Sequence, residues 1–248
     1  MKKLYSLYEV GGKVRDHLLG IQSKDVDYTV VMKNPTAFDS PKNAFYVLIE
    51  ELISEGFEIF QTTDEALTIR AKFPEDHQYS GVADFVLARK QLGYNYASRM
   101  PIVTLGNLYD DLERRDFTVN AIALDDNSEL IDPFNGQQDI KDRVLRTPQD
   151  AAVSFSNDPL RILRAFRFHV TKNFGFSDEV IDAIKTFNPE RMELVSSERI
   201  REELHKMFKH DTFWSLIALK NMNEMNRSLH QYIFSDKTGI WLEPTTKQ

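Results

Sequence analysis

The chain has 248 residues, 42% hydrophobic and 28% charged, with a net charge of −7 and no cysteine. That length allows one large domain or two modest ones with their own cores, and the composition argues against extended disorder. The missing thiol excludes disulfides, thiolate zinc sites and a cysteine nucleophile. The acidity is uneven: residues 1–150 hold 17 basic and 25 acidic side chains, and the remainder is close to neutral. An acidic chain argues weakly against nucleic acid, unless carboxylates gather around divalent cations and reverse the local field. Glu9 follows Met1-Lys2-Lys3 before any long apolar run, and no stretch approaches a membrane span, so the chain reads as cytoplasmic with no membrane partner.

In chain order, the first element is the stretch YEVGGKVRDHLLGIQSKDVDYTVV, Tyr8 to Val31. It runs from an apolar segment through Gly11-Gly12 into a short charged helix, then to a strand with Asp25 and Asp27 at its entrance. Apolar runs at Tyr28–Met32, Phe57–Phe60, Ala66–Phe73 and Val82–Leu87 read as strands. Between the first two, Pro41 to Gly56 reads as a helix with its stripe at Ala44, Val47, Leu48, Leu52 and Ile53. This is an α/β or α+β layer around a small sheet. From about Thr147 the pattern becomes helix after helix. NDPLRILRAFRFHVTKNFGF offers Asn157 as N-cap, Pro159 in the first turn and Gly175 beyond the end. DEVIDAIKTF and SSERIREELHKMF follow, the latter capped by Ser196 or Ser197. The late run Phe213, Trp214, Leu216, Ile217 and Leu219 reads as core, with an oligomer contact as the alternative. The class changes near residues 148–156, which sets a first domain at 1–148 and a helical one at 149–248.

Five groups could carry chemistry. Asp25 and Asp27, two apart in a strand, share a face and can hold a hard cation such as Mg²⁺, or they are a solvated pair. Gly11-Gly12 with Lys13 and Arg15 can present amides and charge to an anion, or can be a plain turn. Asp84 in the apolar strand VADFVLARK is expensive unless paired or metal-bound, and as a third carboxylate it would complete a two-metal phosphoryl-transfer site. In ERRDFTVNAIAL, Arg114 and Arg115 suit phosphate, and the Asp116/Asn120 pair suits a sugar or base edge, or Asp116 caps a helix. Arg161, Arg164 and Arg167, in steps of three, read a base or hold RNA phosphates, or line an amphipathic surface. The six histidines form no ligand set.

The segments VGGKVRDHLLG…KDVDYTVV, VADFVLARK, LERRDFTVNAIAL, IDPFNGQQDI, NDPLRILRAFRF and SSERIREEL, in this order, resemble the class II tRNA nucleotidyltransferase and bacterial poly(A) polymerase family. The resemblance implies an α+β fold: a nucleotidyltransferase head with a small mixed sheet, then an all-α neck. It implies untemplated addition of CMP or AMP to a tRNA 3′ end from CTP and ATP, with two Mg²⁺ ions. Asp25 and Asp27 match the metal pair, and Asp84 the carboxylate before a flexible loop at roughly Arg89 to Leu108. Gly11, Gly12 and Arg15 match the phosphate turn, and Arg114, Arg115, Asp116 and Asn120 the segment for triphosphate and ribose. Asp158 and Arg161 match the base-choosing pair. Glu198 and Arg199 match the motif that steadies that helix, with Arg164 and Arg167 as supporting RNA contacts. Asn157 departs from the acidic residue usual before Asp-Pro-Leu-Arg, and the family continues after the SSERIREEL motif into long body and tail helices, where 44 residues follow Leu204 in this sequence. Poly(A) addition, partial CC or A addition, and a non-catalytic nucleotide- or RNA-binding module remain the alternatives at this point.

Overall fold

The computed structural model describes residues 3–22, 26–77, 79–95 and 100–235. The chain divides into two compact units, Met1–Ile140 and Lys141–Gln248. The division falls before 148 because Val144–Leu145 pairs with Gly175–Phe176 inside the second unit.

The first unit runs β1 (Tyr5–Val10), α1 (Gly12–Leu18), β2 (Val26–Met32), α2 (Pro41–Ser54), β3 (Glu58–Thr63), β4 (Thr68–Lys72) and β5 (Val82–Leu87). It continues through β6 (Arg89–Asn95), β7 (Met100–Leu105), α3 (Leu108–Glu113), β8 (Ala123–Leu124), β9 (Leu130–Ile131) and α4 (Gly136–Asp142). Seven strands form one mixed sheet in the order β3-β4-β5-β2-β1-β8-β9. Within it β2 and β5 are parallel, and that pairing requires a crossover, which contains α2. Of the stretch implied to be a loop, Arg89–Asn95 and Met100–Leu105 pair as an antiparallel ribbon, and residues 96–99 lie outside those described.

Strand alternation decides what each face of the sheet does. In β2, Val26, Tyr28, Val30 and Met32 enter the core, so Asp27 and Thr29 stand on the other face. The core face is covered by α2, which starts cleanly because the Ser40 hydroxyl accepts from Asn43 N and Pro41 sits in the first turn. Its buried stripe is Ala44, Phe45, Leu48 and Leu52; Ile53 is exposed, because a helix keeps one stripe and Ile53 falls past its edge. Tyr28 stacks on Phe85 at 5.2 Å, and Phe57 meets Phe85 edge-on at 5.2 Å. The opposite face is covered over β1 and β8 by Val10, Leu112, Ala121 and Ala123. Over β2 and β5 the same face carries Asp27, Thr29 and Asp84 beside Val31 and Val86.

The second unit contains β10 (Val144–Leu145), α5 (Ala151–Asn157), α6 (Leu160–Lys172), β11 (Gly175–Phe176), α7 (Asp178–Thr186), α8 (Ser197–His210), α9 (Thr212–Met225) and α10 (Arg227–Ile233). Among its described residues the regular structure is helical apart from the parallel β10–β11 pair. Asn157 ends α5 instead of capping α6; the cap comes from Asp158, whose Oδ1 accepts from Leu160 N at 3.3 Å. The left-handed residue that closes α6 is Asn173, with φ 57°, and Gly175 belongs to β11. Asparagine tolerates that conformation by local hydrogen bonding. Ser196 caps α8. On α9, Leu219 is buried but Phe213, Trp214 and Leu216 are exposed, since apolar residues spread over two turns, from Phe213 to Leu219, span more than one helix face. Among the described residues no helix is long and apolar enough to cross a membrane.

Phe85 is fully buried between two aromatic rings. Phe85→Ala should cost about 3–5 kcal/mol in urea denaturation of the protein, read as a lowered midpoint.

Candidate functional site

The turn between β1 and α1 is a close approach of three motifs. Gly11 has φ 74° and ψ −133°, a backbone state that side chains resist. A Cβ placed there would stand 3.2 Å from Arg115 Nη1 and 3.5 Å from Asp27 Oδ2. Glycine is therefore needed for conformation and for space, and the gap it leaves lies between a guanidinium and a carboxylate.

Asp27 and Asp84 occupy facing positions on the parallel neighbours β2 and β5. Facing residues rise from the same side of the sheet on strands about 4.8 Å apart, so the two carboxylates are side by side. Two adjacent carboxylates on an open face suit Mg²⁺, which takes few protein oxygens and keeps coordination positions for phosphate and water. Asp25 lies outside the described residues, and among those described no group of three or more ligating side chains stands together.

Behind this pair lies a charge cluster centred on Asp111, which the sequence reading passed over. Asp111 is fully buried. Its Oδ1 accepts from Arg114 Nε at 3.0 Å and Nη2 at 2.5 Å, and its Oδ2 from Thr29 Oγ1 at 2.6 Å and Arg115 Nη2 at 2.9 Å. Burial alone would raise this carboxyl, but the Arg115 and Arg114 guanidinium groups and the Thr29 hydroxyl outweigh it and hold it well below the usual range. Arg115 also donates from Nη2 to Thr29 Oγ1 at 3.1 Å. The β2 residue two beyond Asp27 thus fixes the arginine that lies against Gly11. The sequence carried a signal for Asp111: it precedes Arg114 and Arg115 by three and four residues, the helical pairing distances.

The remaining candidates of the first unit form a second chain of contacts. Arg15 is buried, with Nε on Asp16 Oδ1 at 2.8 Å and Nη1 on Asn120 Oδ1 at 2.6 Å. Asn120 Nδ2 donates to Asp116 Oδ1 at 2.8 Å, and that oxygen also takes Phe117 N at 2.8 Å. Arg15, Asp116 and Asn120 are therefore brought together as internal struts. Gly12 begins α1 next to Arg15, whose Nη2 would lie 3.6 Å from a Cβ there. The IDPFNGQQDI segment supports the same turn. Thr118 Oγ1 donates to buried Asp139 Oδ2 at 2.6 Å, and a Cβ on Gly136 would fall 2.2 Å from Thr118 O. No side chain fits between those two backbones.

In the second unit the three arginines do not act as one row. Arg161 Nη1 donates to Ser154 Oγ on α5 at 2.6 Å. Arg167 Nε donates to Glu203 Oε2 at 2.5 Å, and Arg164 Nη1 stands 3.8 Å from Glu203 Oε1. Glu203 is buried on α8 within the stripe Ile200, Leu204 and Met207, and a carboxylate in an apolar stripe was the signal that could have found it. Asp158 Oδ2 stands 3.4 Å from Arg199 Nη2, which links α8 to the start of α6. Glu198 is exposed in the first turn of α8, where a backbone amide and Ser196 lower its pKa.

Carboxylates on facing strands beside a glycine turn and an arginine make the layout of a nucleotidyltransferase head. The family model described as "Poly A polymerase head domain" matches residues 7–146, more than half of the sequence, and the chain belongs to that family. A second model, "Probable RNA and SrmB- binding site of polymerase A", matches residues 173–234. The chain is 35% identical over 212 residues to a CCA-adding enzyme of Francisella tularensis subsp. novicida, covering 81% of this chain and 48% of that one. It is 32% identical over 229 residues to a CCA-adding enzyme of Staphylococcus aureus, covering 89% and 51%. The crystal structure of the Bacillus stearothermophilus CCA-adding enzyme in complex with CTP superposes with a TM-score of 0.71 at 28% identity, covering 92% of this chain and 50% of that one. The Thermotoga maritima CCA-adding enzyme complexed with tRNA gives 0.66 at 26%, covering 93% and 48%. The chain thus spans about half the length of the relatives it matches.

Asp111→Asn should lower stability at pH 7 by about 3 kcal/mol, because two arginines lose their buried counter-charge. Asp111's depressed pKa gives stabilisation that is complete above the unfolded carboxyl value near 4 and is lost as pH falls below it. Chemical denaturation from pH 7 to pH 2 should therefore show the gap between wild type and variant closing at the acid end. Glu203→Gln should likewise cost about 3 kcal/mol at pH 7 in the same experiment, since Arg167 is mostly buried against it.

Proposed function

We propose that the protein is a template-independent nucleotidyltransferase that adds CMP and AMP to the 3′ end of tRNA, from CTP and ATP, in CCA addition or repair. The observation that carries this reading is the convergence of Asp27, Arg115 and the Gly11 turn, with Asp84 facing Asp27 on the next strand. Relatives described as CCA-adding enzymes, and solved CCA-adding enzymes with CTP, ATP and tRNA, support the substrates.

In the reaction the RNA 3′-oxygen bonds to the α-phosphorus, the bond from that phosphorus to the bridging oxygen breaks, and pyrophosphate leaves. Asp27 and Asp84, with Asp25, would hold Mg²⁺, which when bound acidifies the 3′-hydroxyl and offsets charge on the leaving pyrophosphate. Arg115, held by Asp111 and Thr29, supplies fixed positive charge at the Gly11 turn where the triphosphate lies, and Arg114 extends it. Gly11 and Gly12 let phosphate oxygens approach the backbone. Arg15, Asp116 and Asn120 shape the wall of that site. We assign base choice to Asp158 and Arg161, with Arg199 fixing the Asp158 carboxylate and Glu203 holding Arg164 and Arg167. Little covalent chemistry is asked of the protein, so positioning dominates the rate. The protein works in the cytoplasm on this reading.

The test is incubation with Mg²⁺, a tRNA stripped of its 3′ end and each labelled nucleotide alone and together. Two CMP additions followed by one AMP are expected, without UMP or GMP. Open-ended AMP addition would point to poly(A) polymerase, and RNA binding without any incorporation would point to a binding module. Asp27→Asn and Asp84→Asn should each lower incorporation by at least about a thousandfold while unfolding as cooperatively as wild type.

A further inference from the structure

One transverse row of the large sheet crosses the carboxylate pair. Across the strands, Gln61, Arg70, Asp84, Asp27, Val10 and Ala123 stand opposite one another in sequence of pairing. The row changes character at Asp27. Toward β8 it is apolar and covered, since Val10 and Ala123 belong to the cluster with Leu112. Toward β3 it is polar and open, with the Arg70 side chain 57% exposed and Gln61 exposed beyond it.

Arg70 differs from the other arginines near this face. Arg15, Arg114 and Arg115 have their guanidinium groups hydrogen-bonded to Asn120, Asp16 or Asp111. Arg70 Nε stands 3.9 Å from Asp84 Oδ1, outside hydrogen-bond range, and among the described residues its guanidinium makes no hydrogen bond. A guanidinium fork is thus held beside a site carboxylate with its donors available.

We propose that Arg70 binds the phosphodiester of the RNA's 3′-terminal nucleotide and so places the attacking 3′-hydroxyl beside Asp84. This rests on the transferase reading above and adds the RNA side of the same site. The order of the row gives the direction. The triphosphate end is marked by Gly11 and Arg115 next to Asp27; Asp84 is one strand further, and Arg70 one strand beyond that. In-line displacement requires the attacking oxygen to enter opposite the leaving pyrophosphate, which is the Asp84 side. The phosphate of the nucleotide that carries this hydroxyl lies one sugar further out, where Arg70 stands. A planar fork suits two phosphate oxygens, and it fixes orientation as well as charge.

The test uses the full chain, Mg²⁺, labelled ATP and a tRNA acceptor-stem minihelix ending in CC. Arg70→Gln should raise KM for the RNA about tenfold with KM for ATP at the wild-type value, and Arg70→Lys should recover part of the loss. A minihelix with a neutral methylphosphonate at its 3′-terminal linkage should weaken the wild type by a similar factor and the Arg70→Gln protein no further. A merely structural role for Arg70 would leave the methylphosphonate penalty in place. An unchanged KM for RNA, equal methylphosphonate penalties in both proteins, or a rise in KM for ATP alone would each overturn the assignment. The last would put the arginine on the triphosphate. A wild type that extends no RNA overturns the transferase reading and this site together, whereas an active wild type beside an unaffected Arg70→Gln overturns this site alone.

Discussion

The first unit depends on a carboxylate with no access to water. Asp111 can remain ionised only because two guanidinium groups and a hydroxyl surround it. Those partners come from different places: Thr29 from the central strand β2, Arg114 and Arg115 from the segment after α3. Asp111 stripped of these partners would be a bare charge in the interior, so the cluster fixes the segment against the sheet. One consequence reaches the surface, where Arg115 is held with Nη1 at the Gly11 turn. On the proposed reading, a structural ion cluster and a site for anions are two ends of the same side chain.

The sheet divides its labour by the pleat. Odd and even positions of β2 and β5 point to opposite faces, so the residues that fill the core and those that line the site can alternate without competing. Tyr28 and Phe85 meet on one side; Asp27 and Asp84 stand in register on the other. A one-residue slip in either strand would bury carboxylates and expose the aromatic stack, and the aromatic core therefore also enforces the register of the site. In the second unit a comparable arrangement holds the arginine helix: buried Glu203 holds Arg164 and Arg167, and Asp158, beside Arg199, caps the helix start.

Much of this was legible from residue order. The strand at Tyr28–Met32, the strand at Val82–Leu87 and the helix after Pro41 carry unambiguous periodicity and stop signals, and the family segments point to most residues of the candidate site. What escaped has physical reasons. The β6–β7 ribbon is a stretch whose hydrophobic alternation is weak, and only pairing reveals it. Asn157 looks like a cap because Pro159 follows, but Asp158 is one residue closer and has the carboxylate that reaches Leu160 N. Asp111 and Glu203 are acidic residues among other acidic residues, and burial, which gives them their role, is a tertiary property. Phe213, Trp214 and Leu216 read as core by hydrophobicity, yet helical geometry turns them outward.

On the proposed reading, phosphate and metal-binding groups share one place, the small gap that Gly11 leaves between Arg115 and Asp27. Gly11→Ala fills that gap with a single methyl group and also sets a side chain at φ 74°, ψ −133°, a backbone state otherwise kept for glycine. The measurement that bears on it most directly is the affinity of this variant for CTP by calorimetry, with Mg²⁺ present. A loss of at least about a hundredfold, near 2.7 kcal/mol, is expected in a protein that still unfolds cooperatively. Wild-type affinity for CTP in that variant would contradict it.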